Sequence, residues 1–235
     1  PLPQHLTELS ALTRTSKADV GFAVDPDVDR LAIYCENGKP FGEEYTLVSI
    51  SDYVLQHTPG NTVSNLSSTR ALRDVTTKRG GNYYAAAVGE VNVVSKMKEV
   101  DAIIGGEGNG GVIYPESHYG RDALVGIALF LSQMAKSGKK PTELRADYPT
   151  YFMAKQKIEL TPEMNIDEIL DKVKEEYIDQ NPIDIDGVKI DFPNKWVHLR
   201  KSNTEPIIRI YSEANSQEEA EETGKHFIDL IKELA

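Results

Sequence analysis

Apolar residues recur along this chain with two different periods, and the alternation between them lays out most of its elements. Leu6, Leu9 and Leu12 share one helical face within residues 3–17. "VGFAV" (20–24) is a short, uninterrupted, β-branched run of the kind found in a sheet covered on both faces. "RLAIYCENGKPF" (30–41) predicts a second strand running into an Asn37-Gly38 turn. From Glu43 the two periods alternate regularly. "EEYTLVSISDYVLQH" predicts a helix, "NTVSNL" a strand, "STRALRDVTTKRG" a helix, "NYYAAAV" a strand, "VNVVSKMKEV" a helix and "DAIIGGEG" a strand. "RDALVGIALFLSQMAKSG" closes the series as the most apolar helix. Such alternation predicts a mostly parallel α/β sheet.

The character changes after the polar, proline-containing run "KKPTELRADYPTY", which reads as a boundary. "FMAKQKIEL" then predicts a strand, and "NIDEILDKVKEEY" a helix capped by Asn165 with Glu168 three residues on. "IDIDGVKIDF" predicts a hairpin, and "KWVHLR" and "IIRIYSEA" two more strands. A final helix opens with a Ser216-to-Glu219 capping box. The expected fold class is therefore α/β with a mixed sheet, followed by a C-terminal α+β domain. Three units are expected: residues 1–42 as part of an α/β domain, 43–148 as a complete α/β domain, and 149–235 as the α+β domain.

Composition narrows the partners. A net charge of -11 argues against general affinity for nucleic acid or anionic membranes, while leaving room for a local site for one phosphate. No apolar run is long enough to span a bilayer, and "PLPQHLTELS" lacks a signal-peptide layout. The single cysteine, Cys35, excludes an internal disulfide and suits a reducing cytoplasm, the expected location. Position 1 is a proline leading into an amphipathic run, so the sequence is expected to continue a longer protein.

Between the first two strands stands "DPDVDR", with Asp25, Asp27 and Asp29 at alternate positions and Arg30 behind them. Three carboxylates in one turn repel unless a hard cation such as magnesium or calcium gathers them. An EF-hand loop also begins Asp-x-Asp-x-Asp, and Glu36 even falls at its twelfth position. The sixth position, however, needs glycine and holds Arg30, and the flanks are strands, so that reading is rejected. A solvated acidic turn is the plain alternative, but a strand end is where α/β proteins place ligands.

"IIGGEGNGGVIY" (103–114) brackets Glu107 and Asn109 with glycines directly after a strand. Glycines admit close backbone approach, and the two side chains suit adjacent sugar hydroxyls, although a flexible turn would look the same. "LRKSNTEPIIRIYSEA" (199–214) places Arg200, Ser202, Asn203 and Thr204 within five residues. A guanidinium fork with hydroxyls and loop N–H groups makes an anion nest, and a polar hairpin is the alternative. Trp196 reads as packing. His118 is either catalytic or, more commonly for such a residue, the fastener of a loop. Arg121 and Asp122 open the most apolar helix, where Asp favours the dipole.

Taken in this order, "DPDVDR", "GEGNGG" and "RKSNTEP" resemble the D-x-D-x-D-R, G-E-x-[SN]-G and R-x-S-[GN]-T-x-P loops of the α-D-phosphohexomutase superfamily, with "AVGEVNVVSKM" and "GRDAL" at fitting places. The superfamily includes phosphoglucomutase, phosphomannomutase and phosphoglucosamine mutase. The resemblance implies a four-domain enzyme: residues 1–42 would end its domain 2, 43–148 would be domain 3 and 149–235 domain 4. The phosphoserine domain, with its "TASHNP"-like segment, would be a partner that these residues do not include.

The resemblance further implies Mg²⁺ on Asp25, Asp27 and Asp29, with Arg30 as a catalytic charge-balancing group. Glu107 and Asn109 would hold the sugar, and Arg200, Ser202, Asn203 and Thr204 the phosphate that is not transferred. A hexose 1,6-bisphosphate would be the intermediate and activator in exchanging 1- and 6-phosphates. Some relatives have histidine where this chain has Gly111 or Glu90, and Glu90 is taken as a substrate contact. The "GEGNGG" form lies nearest phosphoglucosamine-mutase-like sequences. Alternatives are a phosphoglucomutase/phosphomannomutase, a truncated sugar-phosphate-binding regulatory module, or an unrelated Mg²⁺ phosphatase. These residues alone are expected to be inactive as a mutase.

Overall fold

The computed structural model describes residues 5–161, 164–202 and 205–234. The chain divides into two compact units, residues 1–149 and 150–235.

The first unit opens with helix α1 (Thr7–Thr15) packed on a two-stranded antiparallel hairpin, β1 (Val20–Val24) and β2 (Leu31–Cys35), in which Phe22 pairs with Ile33. Within this chain, Gly21 of "VGFAV" is buried and Val24 is exposed. The main sheet has the order β4-β3-β5-β6, formed by β3 (Asn61–Asn65), β4 (Tyr83–Ala86), β5 (Ala102–Glu107) and β6 (Gly111–Ile113). β3 runs parallel to both β4 and β5, whereas β6 folds back antiparallel on β5. A mostly parallel sheet was expected; the short return strand β6 is hidden in the sequence behind its glycines.

Helices α2 (Glu43–His57), α3 (Ala71–Lys78), α4 (Glu90–Glu99) and α5 (Ala123–Ser137) carry the connections. α2 is buried on every side from Tyr45 to Leu55, as a helix enclosed by other elements must be. Two of its buried polar groups are paired across to other elements: Ser49 Oγ donates to Gln133 Oε1 at 2.8 Å, and Arg79 Nε donates to Asp52 Oδ1 at 2.6 Å, whereas the buried Ser51 hydroxyl has no partner among the described residues. Phe130 of α5 sits edge-on to Phe22 and Phe41, joining hairpin and helix in one core. The polar run read as a boundary contains a further helix, α6 (Pro141–Ala146). Proline at its first position costs no hydrogen bond there, and Glu143 caps the start by accepting from Lys140 N–H at 2.8 Å.

The second unit is the expected α+β type. Strands β7 (Phe152–Glu159), β8 (Val188–Asp191), β9 (Trp196–Lys201) and β10 (Ile207–Ala214) form an antiparallel sheet in the order β7-β10-β9-β8. Helices α7 (Ile166–Glu176) and α8 (Gln217–Leu234) supply Ile169, Val173, Phe227 and Ile231 to a core shared with Ile190, Val197, Leu199, Ile208 and Ile210. The caps at Asn165 and Ser216 are formed. The expected hairpin over 183–192 is reduced to a single bridge between Ile183 and Lys189; β8 pairs instead along β9. Trp196 is fully buried, its indole N–H donating to Glu213 Oε1 at 2.7 Å.

Candidate active site

The loops that follow parallel strands β3, β4 and β5 gather at one end of the first sheet, where an open α/β sheet leaves its crevice. Glu107, the last residue of β5, lies at their centre and is 4 % exposed. Its Oε1 accepts from Asn65 Nδ2 at 2.7 Å, at the end of β3, and from Gly89 N–H at 3.2 Å, from the loop after β4. Its Oε2 accepts from Arg121 Nη1 at 2.7 Å. The loop after β3 is further braced where Gly108 N–H donates to Ser68 Oγ at 3.0 Å. Glu44, at the start of α2, accepts from Thr69 N–H at 2.9 Å.

The aspartate turn is stitched to this centre by backbone. Leu31 N–H donates to Gly110 C=O at 3.1 Å, and Ala123 N–H donates to Val28 C=O at 3.0 Å. Within the turn, Asp25 Oδ1 accepts from the N–H groups of Asp29 and Arg30, each at 3.1 Å. Burial works to raise the Asp25 carboxyl, but its hydrogen bond with the Asp29 side chain, those two N–H groups and the Arg30 charge hold it below the usual range. Asp29 moves the other way: burial, the hydrogen bond with Asp25 and then the Asp25 charge raise it against the pull of Arg121 and Arg30. Two carboxyls this close cannot both ionise freely. Val28 has φ 57, a costly left-handed conformation for a β-branched residue, worth roughly 1–3 kcal/mol.

Asp25 and Asp29 thus meet, whereas Asp27 is exposed with no hydrogen bond or ion pair among the described residues. Arg30 is half exposed and loosely placed, its Nε 3.7 Å from Asp25 and 3.8 Å from Asp29. Among the described residues no three His, Cys, Asp or Glu side chains are arranged as a finished metal cage. The donor set nevertheless fits a magnesium ion: all its ligands are carboxylate oxygens, and Asp29 Oδ1 is buried without a hydrogen bond.

Arg121 is the residue that sequence reasoning did not select for the site. Its side chain is 13 % exposed and reaches three loops at once. Nη1 binds Glu107, Nη2 pairs with Asp29, and Nε lies 3.2 Å from Glu90 Oε2 in a geometry short of a hydrogen bond. The Arg121 N–H also donates to Glu90 Oε1 at 3.0 Å. Room for the side chain comes from Gly111, where a Cβ would overlap Arg121 Cδ. Asn109, beside it, accepts from Gly111 N–H at 3.1 Å. His118 fastens the start of α5: its Nε2 lies 2.9 Å from Asp122 Oδ2 while Asp122 Oδ1 caps the helix.

In the second unit, Arg200 lies near the end of β9 and Ser202 just beyond it. Ser202 N–H donates to Ile207 C=O at 2.9 Å and closes the turn toward β10. Asn203 and Thr204 lie outside the described residues. Arg200 stands directly opposite Arg209 on β10, a like-charge pair that is unfavourable unless countered. Asp186 lies 3.5 Å from Arg200 Nη1, and Glu205 accepts from Arg209 Nη2 at 3.2 Å. Behind Arg200, His198 is 1 % exposed and its Nε2 lies 2.7 Å from Asp186 C=O. Burial, opposed by that hydrogen bond and aided by the Lys189 and Arg200 charges, pushes His198 down to about 4.

Comparison with known proteins now decides the family. The domain description "phosphoglucomutase/phosphomannomutase, alpha/beta/alpha domain III" matches residues 42–151, and the C-terminal domain of the same family matches residues 155–230. The chain belongs to the phosphoglucomutase/phosphomannomutase family. It is 36% identical over 236 residues to a phosphoglucomutase/phosphomannomutase of Thermococcus kodakarensis, covering 99% of this chain and 51% of that protein. It is 31% identical to a probable phosphoglucosamine mutase of Methanopyrus kandleri, covering 99% of this chain and 52% of the relative. The fold also matches a crystal structure of a family protein from Burkholderia thailandensis with a TM-score of 0.84 at 24% identity, over 99% of this chain and 50% of that one. The chain thus spans about half the length of these relatives. Among the described residues, no helix of this family member is long and apolar enough to cross a membrane.

Proposed function

We propose that this chain is the metal- and sugar-phosphate-binding half of a phosphohexomutase, phosphoglucosamine-mutase-like in its sugar loop. In this reading residues 1–42 end the family's domain 2, 43–148 are domain 3 and 149–235 are domain 4. The observation that carries it is the meeting of the aspartate turn, Glu107 and Arg121 at the strand ends of a fold whose family interconverts such phosphates. The complementary partner is a phosphoserine-bearing region of the same protein, acting in the cytoplasm.

Asp25, Asp27 and Asp29 are the residues that would hold Mg²⁺, which when bound supplies positive charge to neutralise a phosphoryl group leaving its serine. Arg30, half exposed at the rim of the turn, adds charge to the same place. Glu107 keeps the loop at 107–111 in register for Asn109 to meet sugar hydroxyls, and Glu90 borders the same loops. Arg200 and Ser202, with Asn203 and Thr204, bind the phosphate that stays in place. A sugar that leaves one phosphate bound while presenting either end passes through a 1,6-bisphosphate.

The test is a mutase assay on a polypeptide of the relatives' full length that contains this sequence, primed with a hexose 1,6-bisphosphate. Glucosamine phosphate should turn over faster than glucose or mannose phosphate, and the 235-residue chain alone should turn over none. Turnover by the 235-residue chain, or none by the longer protein, contradicts the reading.

A further inference from the structure

We propose that Arg121 is a positioning residue that couples cation binding at the aspartate turn to sugar-phosphate binding at the glycine-rich loop. The inference rests on the proposed function and adds a coupling between its motifs. One guanidinium bridges Asp29 and Glu107, carboxylates that belong to two separate motifs, and its third edge faces Glu90. Glu107 in turn fixes the loops after β3 and β4 through Asn65 and Gly89. Any movement of Arg121 is therefore felt by every loop at this end of the sheet.

The charges set the direction. Asp29 is held by a single strong cation contact, from Arg121, and by a looser one from Arg30. A divalent cation drawn to Asp29 competes with the Arg121 Nη2 contact, because both need the same carboxylate charge. Released from Asp29, Nη2 stays anchored at Nη1 by Glu107 and becomes a donor facing the site, ready for a sugar hydroxyl or phosphate oxygen. Cation binding thus improves sugar-phosphate binding, and by linkage the reverse holds equally.

Gly111 makes room for this arrangement, because a side chain at 111 would occupy the path of Arg121 Cδ. The same geometry provides a variant, G111A, that moves the guanidinium without removing its charge.

The experiment is a binding cycle on the 235-residue chain. Mn²⁺ affinity is read by electron paramagnetic resonance with and without glucosamine 6-phosphate, and glucosamine 6-phosphate affinity by calorimetry with and without Mn²⁺. The wild type should show mutual enhancement of at least fivefold, and R121Q and G111A should each fall to within twofold of none. The two variants discriminate charge from position: enhancement retained in G111A but lost in R121Q means that charge alone acts, and overturns the inference. Enhancement retained in both variants overturns it as well. Binding of both ligands by the wild type with no enhancement overturns the coupling while leaving the proposed function standing. Binding of neither overturns both. If R121Q fails to fold, G111A and the wild type still carry the test, and a G111A as strongly coupled as wild type refutes it.

Discussion

The two units hold their candidate ligand groups in opposite ways. In the first, Asp29 of the aspartate turn, Glu90 at the start of α4 and Glu107 at the end of β5 are tied together by Arg121, with Glu107 and Arg121 well buried. In the second, Arg200 and Ser202 sit on one strand and its turn, and the countercharge nearest to Arg200 is Asp186 at 3.5 Å. A buried, cross-tied group is costly to disturb because removing one partner strands the others. A group held by one strand and its turn, with one loose countercharge, strands fewer partners when it is removed, so the effect on folding is smaller than the effect on binding. Architecture and ligand contact are merged in one region and separable in the other.

The largest effect expected from this contrast is on stability. E107A leaves the Arg121 guanidinium, Asn65 and Gly89 N–H without their acceptor and should destabilise the first unit by about 3–5 kcal/mol. Trp196 is the only tryptophan and lies in the second unit, so its fluorescence should report an unchanged transition in denaturant while circular dichroism shows an earlier one. Coincident earlier transitions by both probes would break the contrast.

A smaller effect concerns pH in the second unit. His198 takes a proton near 6.5 when unfolded but only near 4 when folded, so the unfolded state binds more protons between those values. Stability is therefore full above about pH 6.5 and declines as pH falls toward 4, by about 2–3 kcal/mol at pH 4.5. Tryptophan-detected urea titrations at pH 7 and 4.5 measure it, and H198N should flatten the dependence. An equal loss in H198N would assign it to other groups.

R200A should weaken inorganic phosphate or sugar-phosphate binding about tenfold, roughly 1.4 kcal/mol, while lowering stability by only about 1 kcal/mol, well short of E107A. A loss of stability comparable to that of E107A would make the two sites alike after all. The smallest effect is V28G. Relief of the φ 57 conformation should raise the unfolding free energy of the first unit by about 0.5–1 kcal/mol, measured by chemical denaturation, despite the usual cost of glycine.

What was legible in the sequence follows the same division. Helices and strands over 43–137, apart from the short β6, could be read because period is a local signal, and the strand-end positions of "DPDVDR" and "GEGNGG" followed from it. Helix α6 was hidden because Pro141 reads as a breaker until it is known to occupy a helix's first position. Arg121 was read as the start of a helix and as part of the fitting segment "GRDAL", with no role of its own in the site. Its three carboxylates lie far apart in sequence, and only the folded sheet brings them together. Gly111 was a second hint beside "GRDAL", a small residue whose purpose becomes visible once Arg121 crosses it. Motifs show which groups could hold a ligand; tertiary contacts show what holds the motifs.

The central claim, that the aspartate turn is a metal site, is tested most directly by Mn²⁺ binding to the 235-residue chain followed by electron paramagnetic resonance. One ion per chain is expected in the wild type, with affinity reduced at least tenfold in both D25N and D29N. An undiminished one-to-one site in both variants, or no binding by the wild type, would contradict the account.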